Sequence, residues 1–228
     1  MTVEGKFWII VGDIHEQSAN IHFIPEAPKA EAIIVSGDLT NANHWPQARQ
    51  ILEEIQGINP VVYAQIGNMD HPDVEQELQK LGLNLHCQGF MLDMDVGIFG
   101  VGHSNHTPFG TPSEVSEERL ADWLHQAHAQ VSQAKHKVLI SHTPPLHTAT
   151  DRLINGQHVG SKAVRDFLLH NNVEICITGH IHEAVAQDTL HDTLILNPGP
   201  LPQGGYALLS LNGKDLKAKI KNIYEHER

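Results

Sequence analysis

Short apolar runs rich in β-branched residues alternate with amphipathic segments along the first half of this chain. Runs of this kind predict buried β-strands, and apolar residues at helical spacing predict helices that pack on a sheet. Strands that alternate with helices are typical of βαβ units. The pattern predicts strands at Phe7–Val11, Ala32–Ser36 and Val61–Ile66, with helices at His44–Gln56 and Pro72–Leu81.

The second half of the chain has a different pattern. Gly89–Asp95 and Gly97–Val101 are predicted to form a β-hairpin with Gly97 at its turn. A long helix is expected at Ser116–Ala134, because Ser116 is a good N-cap and acidic residues follow it in the first turn. The remaining predicted elements are a strand ending at Ser141, a helix at Lys162–His170 capped by Ser161, and strands at Thr193–Leu196, Tyr206–Leu211 and Leu216–Ile223.

Two long polar stretches, His103–Pro112 and Thr143–Gly160, contain no predicted element. Irregular segments of this length inside a domain usually carry function. Both stretches leave strands on the side where other strands end in polar turns. We therefore expect the two loops to line one cleft.

The composition restricts the possible functions. With 15 Lys and Arg against 27 Asp and Glu, the formal net charge is -12, which disfavours binding to long nucleic acids. The two cysteines form no paired motif, and Cys176 is expected to be a buried thiol, which suits a reducing cytoplasm. No apolar run approaches the roughly 18 residues that a membrane helix needs. We expect a single cytoplasmic domain spanning residues 1–228, with no membrane partner; the sequence leaves the oligomeric state open.

Five apolar runs end in a turn that presents Asp, Asn or His. Because ligands of α/β proteins bind at the carboxyl ends of the strands, these side chains are expected to share one crevice. Imidazole and oxygen ligands together indicate a bound metal ion. The five turns are Gly12-Asp13-Ile14-His15, Gly37-Asp38, Gly67-Asn68-Met69-Asp70, Ser141-His142 and Gly179-His180-Ile181-His182.

These motifs resemble those of the calcineurin-like metallophosphoesterases, and the resemblance extends from Asp13 to about Pro200. Secondary stretches at Ser104–Glu114, His158–Ser161 and Asn197–Pro200 are similar to the Icc-like branch of predicted phosphoesterases. The resemblance implies an α/β fold, a four-layer αββα sandwich of two mixed sheets, with the site at the strand ends.

The resemblance also implies a dinuclear metal site. Four imidazoles favour transition metals, so two divalent ions of Mn, Fe, Zn, Co or Ni are all suitable cofactors. The positive charge of two divalent ions exceeds the negative charge of two carboxylates and a hydroxide, so the site would keep a net positive charge and attract phosphate. In the implied ligand set, Asp13, His15 and His182 hold one ion, Asn68, His142 and His180 hold the other, and Asp38 bridges them.

We therefore expect a metal-dependent phosphoric ester hydrolase. A metal-bound hydroxide would attack a small phosphodiester or phosphomonoester in line with the leaving oxygen. Two alternatives stay open: a non-catalytic metal-binding interaction scaffold of the same fold, and a nuclease acting on short oligonucleotides. The complete ligand set favours an enzyme over a scaffold, and the acidic charge favours small substrates.

One position departs from the family pattern. Many members carry His directly after the Asn of the third motif, whereas this chain has Met69. A thioether cannot donate a proton to a leaving group, so a general acid would have to come from elsewhere. Asp70 is expected to orient a neighbouring ligand, while Asn68 and His158 are candidate substrate-binding residues. The candidate acids are His71, His103, His106 and His158, of which His71 is the first choice.

Overall fold

A computed structural model describes residues 5–225 of the chain. Within that range the chain forms two large β-sheets and four α-helices. The helices are α1 (Trp45–Ile58), α2 (Pro72–Lys80), α3 (Glu117–Ala129) and α4 (Lys162–His170). The strands are β1 (Lys6–Val11), β2 (Ile33–Val35), β3 (Val62–Ala64), β4 (Gln88–Met91), β5 (Val96–Val101), β6 (Ser104–Asn105), β7 (Glu114–Val115), β8 (His136–Ser141), β9 (Ile175–Ile177), β10 (Ala186–Leu190), β11 (Thr193–Asn197), β12 (Gly205–Asn212) and β13 (Asp215–Asn222).

Each large sheet has a parallel centre and antiparallel additions. The first sheet has the order β13-β12-β1-β2-β3, in which β1, β2 and β3 run parallel. The second sheet has the order β10-β11-β9-β8-β5-β4, in which only the edge strands β10 and β4 run antiparallel to their neighbours. Parallel strands end at the same edge of a sheet, so each sheet gathers its strand-end turns on one side.

The side chains of β1 show how the layers are stacked. Ile9 and Val11 belong to a core cluster with α1 and α2, whereas Trp8 and Ile10 pack between the two sheets. A third cluster, which includes the fully buried Cys176, joins α3 and α4 to the outer face of the second sheet. Successive strand residues point to opposite faces, so one strand contributes to two cores. The layers are helix, sheet, sheet and helix, which confirms the expected αββα sandwich.

The predicted caps of the later helices are confirmed. Ser116 Oγ accepts a hydrogen bond from the N–H of Arg119 (3.3 Å), and Ser161 Oγ accepts one from the N–H of Val164 (3.2 Å). The predicted end of α3 was wrong, because this helix ends at Ala129 rather than five residues later. From there the chain folds as successive turns that lead into β8.

Two details of the strands differ from the sequence prediction. The hairpin of β4 and β5 is present, but Gly97 lies inside β5 and pairs with Met91 instead of forming the turn. A Cβ at Gly97 would lie 2.7 Å from the Cβ of Ala134, so close packing accounts for this glycine. The edge strand Ala186–Leu190 was not predicted, because its central residues are polar and it lacks an apolar run.

Candidate metal centre

The five predicted ligand turns meet at one edge of the sandwich. The turns after β1, β2 and β3 come from the first sheet, and those after β8 and β9 come from the second. Backbone hydrogen bonds join neighbouring turns: the N–H of Asp13 donates to the carbonyl of Gly37 (3.0 Å), and that of Gly179 donates to the carbonyl of His142 (3.1 Å). Between the sheets, the N–H of His180 donates to both carboxylate oxygens of Asp13 (3.0 and 3.1 Å), so the two sheets build one site together.

Several of these turns have a left-handed backbone. The φ angles are 49° at Asp13, 48° at His15, 53° at Asp38 and 67° at His180. Non-glycine residues adopt this region at a cost, and Asp and His are among those that tolerate it best. Such strain clusters at functional sites. Here each of these residues lies two to four positions beyond the last residue of its strand.

Two glycines of the motifs allow the carboxylates to approach the backbone closely. A Cβ at Gly67 would lie 2.1 Å from Oδ1 of Asp38, and a Cβ at Gly179 would lie 2.5 Å from Oδ2 of Asp13. Any larger residue would displace a carboxylate. The glycine in each of these motifs is therefore required by the site rather than by the turn alone.

The first group of side chains consists of Asp13, His15 and His182. The Nε2 atoms of the two histidines are 3.1 Å apart, although 167 residues separate them in the sequence. Nε2 of His182 also lies 3.5 Å from Oδ1 of Asp13. β1 and β9 belong to different sheets, so this contact forms across the sandwich.

The second group consists of Asp38, Asn68, His142 and His180. Nε2 of His142 lies 3.0 Å from Oδ1 of Asn68 and 3.4 Å from Oδ2 of Asp38. The ring centroids of His142 and His180 are 5.2 Å apart. Oδ2 of Asp38 also lies 3.7 Å from Nε2 of His15 in the first group. This single oxygen atom therefore lies between the two groups.

Hydrogen bonds outside the two groups fix the orientation of the side chains. Nδ1 of His15 donates to Oδ1 of Asn41 (2.9 Å), and Nδ1 of His142 donates to the carbonyl of Ser36 (3.3 Å). Since amide and peptide oxygens only accept, each Nδ1 carries the proton and each Nε2 faces the site. Nδ2 of Asn68 donates to Oγ1 of Thr111 (3.0 Å), which turns its oxygen toward His142.

The sequence prediction missed Asn41, Thr111 and the carbonyl of Ser36. Asn41 lies three residues after Asp38, so its place beside a motif was an available signal. Thr111 belongs to a loop that was expected to be functional, but nothing in the sequence marks that residue. A backbone carbonyl leaves no sequence signal.

Asp70 holds two of the turns together. Its carboxylate accepts hydrogen bonds from the N–H groups of Leu39 (3.1 Å), Thr40 (2.8 Å) and Gly67 (3.0 Å), and from the hydroxyl of Thr40 (2.9 Å). These groups flank Asp38 and Asn68. Burial and the nearby charge of Asp38 raise the pKa of Asp70 to about 7. The geometry supports an orienting role, because Asp70 contacts the backbone beside both residues.

The buried carboxylates and His142 form a charged network in the metal-free protein. Burial raises the pKa of Asp13, but hydrogen bonding and charge from His182 and His142 outweigh it and lower the pKa to about 2. Burial disfavours the charged form of His142, yet the charge and hydrogen bond of Asp38 outweigh it and raise the pKa to about 9. For His180, burial and the charge of His142 lower the pKa to about 4.

This donor set fits divalent transition metals. Donor atoms about 2.0–2.2 Å from a common ion stand roughly 3–3.5 Å from one another, and distances of that size occur in both groups. The donors are imidazole nitrogens, carboxylates and an amide oxygen, which suit metals softer than Mg²⁺. An ion at Nε2 of His142 would replace the proton that this atom shares with Asn68 and Asp38.

An open cleft of about 540 Å³ lies above the two groups. Ligand-group residues form its floor, while Ala42, Met69 and the stretch from Phe109 to Pro112 form its walls. The last four residues of the loop His103–Pro112 therefore line the cleft, which confirms the expectation for that part of the loop. The loop Thr143–Gly160 contributes no residue to this lining, so that part of the expectation was wrong. This loop still lies beside the site, because Nδ2 of Asn197 donates to the carbonyls of both Thr150 and Ile181 (3.5 and 2.9 Å).

The histidines proposed to act as an acid or to bind substrate do not line this cleft. The ring of His71 packs against that of His44 at a tilt of 40° with centroids 4.0 Å apart, and its Nδ1 lies 3.5 Å from Oδ1 of Asp73. Nδ1 of His158 pairs with Oδ1 of the buried Asp151 at 2.6 Å. The roles of His71 and His158 therefore stay predictions without support from the cleft lining, because each ring contacts residues that do not border the cleft.

The two other candidate acids have similar partners. Nε2 of His103 pairs with Oε2 of Glu75 at 3.0 Å, and its ring packs against Trp123. Nδ1 of His106 lies 3.7 Å from Glu114, and its side chain is exposed. Neither ring borders the cleft, so among the described residues the imidazoles that border it are those of the proposed ligands His15, His180 and His182.

The fold and the site define a two-sheet α/β protein with paired histidine and carboxylate groups at its strand ends. The family model for calcineurin-like phosphoesterases matches residues 8–184, which include all five motifs. The chain belongs to this family. It is also 32% identical over 177 residues to the uncharacterized protein MJ1162 of Methanocaldococcus jannaschii, a match that covers 75% of this chain and 78% of the relative.

Solved structures share the fold. The protein TT1561 of Thermus thermophilus matches with a TM-score of 0.73 at 19% identity, over 97% of this chain and all of that one (100%). The 5'-nucleotidase of Candida albicans SC5314 matches with a TM-score of 0.57 at 13% identity, over 98% of this chain but 52% of the longer enzyme. At these identities the similarity shows the fold alone. Within residues 5–225, no helix is long and apolar enough to cross a membrane.

Proposed function

We propose that this protein is a dinuclear metal-dependent phosphoesterase that hydrolyses small phosphodiesters or phosphomonoesters. The observation that carries the proposal is the position of Oδ2 of Asp38 between two groups of donors, 3.7 Å from Nε2 of His15 and 3.4 Å from Nε2 of His142. A carboxylate oxygen in that position suits a bridge between two ions. Membership of the phosphoesterase family gives independent support.

We assign the ions to this chain's side chains as follows. Asp13, His15 and His182 would hold one ion, and Asn68, His142 and His180 the other, with Asp38 shared. When bound, a pair of divalent ions supplies Lewis acidity that activates water and neutralises the phosphoryl oxygens. Mn, Fe, Zn, Co and Ni all fit the donor set.

The chain's own residues would prepare the site for that chemistry. Asn41 and the carbonyl of Ser36 hold two imidazoles with their Nε2 atoms toward the site, which is the orientation that metal binding requires. Asp70 fixes the backbone beside Asp38 and Asn68. Met69 occupies the cleft wall where a proton donor would assist a leaving alkoxide. The reaction should therefore depend on the acidity of the leaving group.

Small substrates fit the cleft and the charge of the protein better than polymers do. The cleft holds about 540 Å³, which suits a small ester. The net charge of -12 opposes long nucleic acids, whose binding relies on many Lys and Arg contacts to phosphate. Two alternative functions would replace this proposal if it fails. One is a nuclease that acts on short oligonucleotides, and the other is a non-catalytic metal-binding scaffold.

The test measures metal content and turnover in the same preparations. The wild-type protein is loaded with each metal, quantified by elemental analysis, and assayed with bis(4-nitrophenyl) phosphate and 4-nitrophenyl phosphate. We expect about two ions per chain and turnover with at least one metal. Asp38→Ala should lose both ions and activity together, whereas Asp215→Ala, an exposed aspartate on β13, should lose neither.

Three results would contradict the proposal. Two bound ions without turnover of any ester across all the metals would favour a scaffold. Retention of two ions by Asp38→Ala would refute the bridging assignment. Turnover confined to short oligonucleotides would favour the nuclease.

A further inference from the structure

Phe109 is an exposed aromatic residue in the wall of the cleft. Its side chain is 83% exposed, and it borders the cleft together with His15, His180 and His182. An exposed phenyl ring at a ligand-binding cleft is a candidate contact for an apolar part of the ligand. Phe23 is the other phenylalanine with a large exposure, 67%, and it lies away from this cleft.

The loop that carries Phe109 is held by a partly buried hydrogen-bond network. The carboxylate of Glu114 accepts hydrogen bonds from the N–H and hydroxyl of Thr107 (3.1 and 2.5 Å) and from those of Thr111 (2.8 and 2.6 Å). The N–H of Phe109 donates to Oγ1 of Thr107 (3.1 Å). Both ends of the short Phe109 segment are therefore fixed to one carboxylate.

The same loop is attached to the candidate metal centre. Oγ1 of Thr111 accepts from Nδ2 of Asn68, and the N–H of Ser113 donates to the carbonyl of Asn68 (3.0 Å). The hydroxyl of Ser113 donates to the carbonyl of Asp70 (2.7 Å). Three hydrogen bonds thus set the distance between the loop and the ligand turn. Phe109 is presented to the site by a preorganised segment, which reduces the entropy cost of binding.

Apart from Thr111, whose hydroxyl contacts Asn68 and Glu114, the described walls of the cleft are apolar and lack positive charge. Ala42, Met69 and Pro112 lie in the walls with Phe109, and no Lys or Arg occurs among the cleft residues that the structure describes. A second phosphate or a carboxylate on the substrate would find no cationic partner beyond the metal centre. An aromatic or other flat apolar ester group would instead bury surface against these side chains.

We propose that Phe109, with Met69 and Pro112, forms a subsite for an aromatic ester group of the substrate. The substrate class is a phosphate ester with one phosphoryl group and an aryl or nucleobase-like substituent. The subsite rests on the proposed phosphoesterase function, since the phosphoryl group would be held at the metal centre. It adds a specificity-determining residue that none of the five ligand motifs contains.

A binding experiment tests the subsite separately from turnover. Phenylphosphonate and methylphosphonate carry the same head group and are not hydrolysed, so their Kd values on Mn²⁺-loaded protein isolate the ring contact. We expect wild-type protein to bind phenylphosphonate about tenfold more tightly than methylphosphonate, as for one aromatic contact. Phe109→Ala should reduce that ratio to about one, and Phe109→Tyr should preserve it. Phe23→Ala, the matched exposed control, should also preserve it.

Kinetics on the same variants separate failure of the subsite from failure of the function. Phe109→Ala should lower kcat/KM for 4-nitrophenyl phosphate about tenfold and leave that for acetyl phosphate, which has a good leaving group and no ring, within about twofold. If Phe109→Ala turns over both substrates with the same ratio of kcat/KM values as the wild type, the subsite is overturned and the phosphoesterase function stands. If the wild-type protein prefers phenylphosphonate, Phe109→Ala loses that preference and no ester is hydrolysed, the subsite is supported and the proposed enzyme activity is refuted. No binding of either phosphonate would overturn both.

Discussion

At the scale of single residues, Met69 shapes the chemistry most directly. It borders the cleft, and its N–H donates to Oδ1 of Asp38 (2.8 Å), so its backbone serves the site while its side chain cannot donate a proton. General acid assistance is typically worth about 10²–10⁴-fold. The four histidines that were candidates for this role form contacts away from the cleft, so the proposed enzyme should lack such assistance.

Met69→His is expected to raise the rate on alkyl phosphoesters more than the rate on aryl phosphoesters. An imidazole at this position reaches the cleft from the same backbone and supplies the missing proton to a poor leaving group. A plot of log rate against leaving-group pKa checks this: the slope should be steep in the wild type and shallower in Met69→His. Met69→Leu, which lacks an acid, should keep the steep slope. The metal content of both Met69 variants should equal that of the wild type. A slope near zero in the wild-type plot would contradict the prediction, because it would show that a general acid is already present.

At the scale of elements, the loop from β6 to β7 depends on the charge of Glu114. Burial raises the pKa of Glu114, but the hydrogen bonds from Thr107 and Thr111 outweigh it and lower the pKa to about 2. A carboxylate whose folded-state pKa is lowered stabilises the fold above its unfolded pKa, and the contribution disappears as the pH falls toward 2. The loop should therefore be well ordered at neutral pH and loosen in acid.

Glu114→Gln should destabilise the protein by about 1–3 kcal/mol at pH 7, because one amide NH₂ then faces the donors of Thr107 or Thr111. Denaturant unfolding at pH 7 and near pH 2 measures the effect, and the difference from wild type should shrink at the lower pH. Hydrogen exchange in residues 107–112 should become faster at pH 7. Glu31→Gln, a change at an exposed residue before β2, is the control. An equal difference at both pH values would contradict the role given to the charge.

At the scale of the whole molecule, the candidate metal centre joins the two sheets. Asp13, Asp38 and Asn68 extend from the first sheet, whereas His142, His180 and His182 extend from the second. In the metal-free protein the charged pair of Asp38 and His142, 3.4 Å apart, holds this edge together. Bound ions would replace that pair with several bonds across the same boundary, so metal binding should stabilise the packing of sheet on sheet.

Removal of metal should lower the melting temperature by about 5–10 °C, the shift for a domain of this size at ion concentrations far above Kd. Calorimetry of loaded and chelator-treated protein measures the difference. Asp38→Ala should have the same melting temperature with and without metal. Asp215→Ala should show the full wild-type difference in melting temperature. A shift that persists in Asp38→Ala would place the stabilising ion at another site.

The sequence alone determined the parts of this protein that depend on local pattern. Apolar runs indicated most strands of the two sheets, the caps at Ser116 and Ser161 followed from side-chain chemistry, and the strand-end motifs indicated the candidate ligands. These features follow from rules that act within a few residues, such as periodicity and capping. The polar edge strand Ala186–Leu190 lacks that pattern and was missed.

Tertiary structure decided which distant groups meet. Only folding showed that Nε2 of His15 and His182 lie 3.1 Å apart, that Asn41 and Thr111 orient site residues, and that the loop after His142 lies outside the cleft lining. The same packing engages His71 and His158 in contacts away from the cleft. Contacts across two sheets depend on strand order and layer packing, which leave no mark in the local sequence pattern.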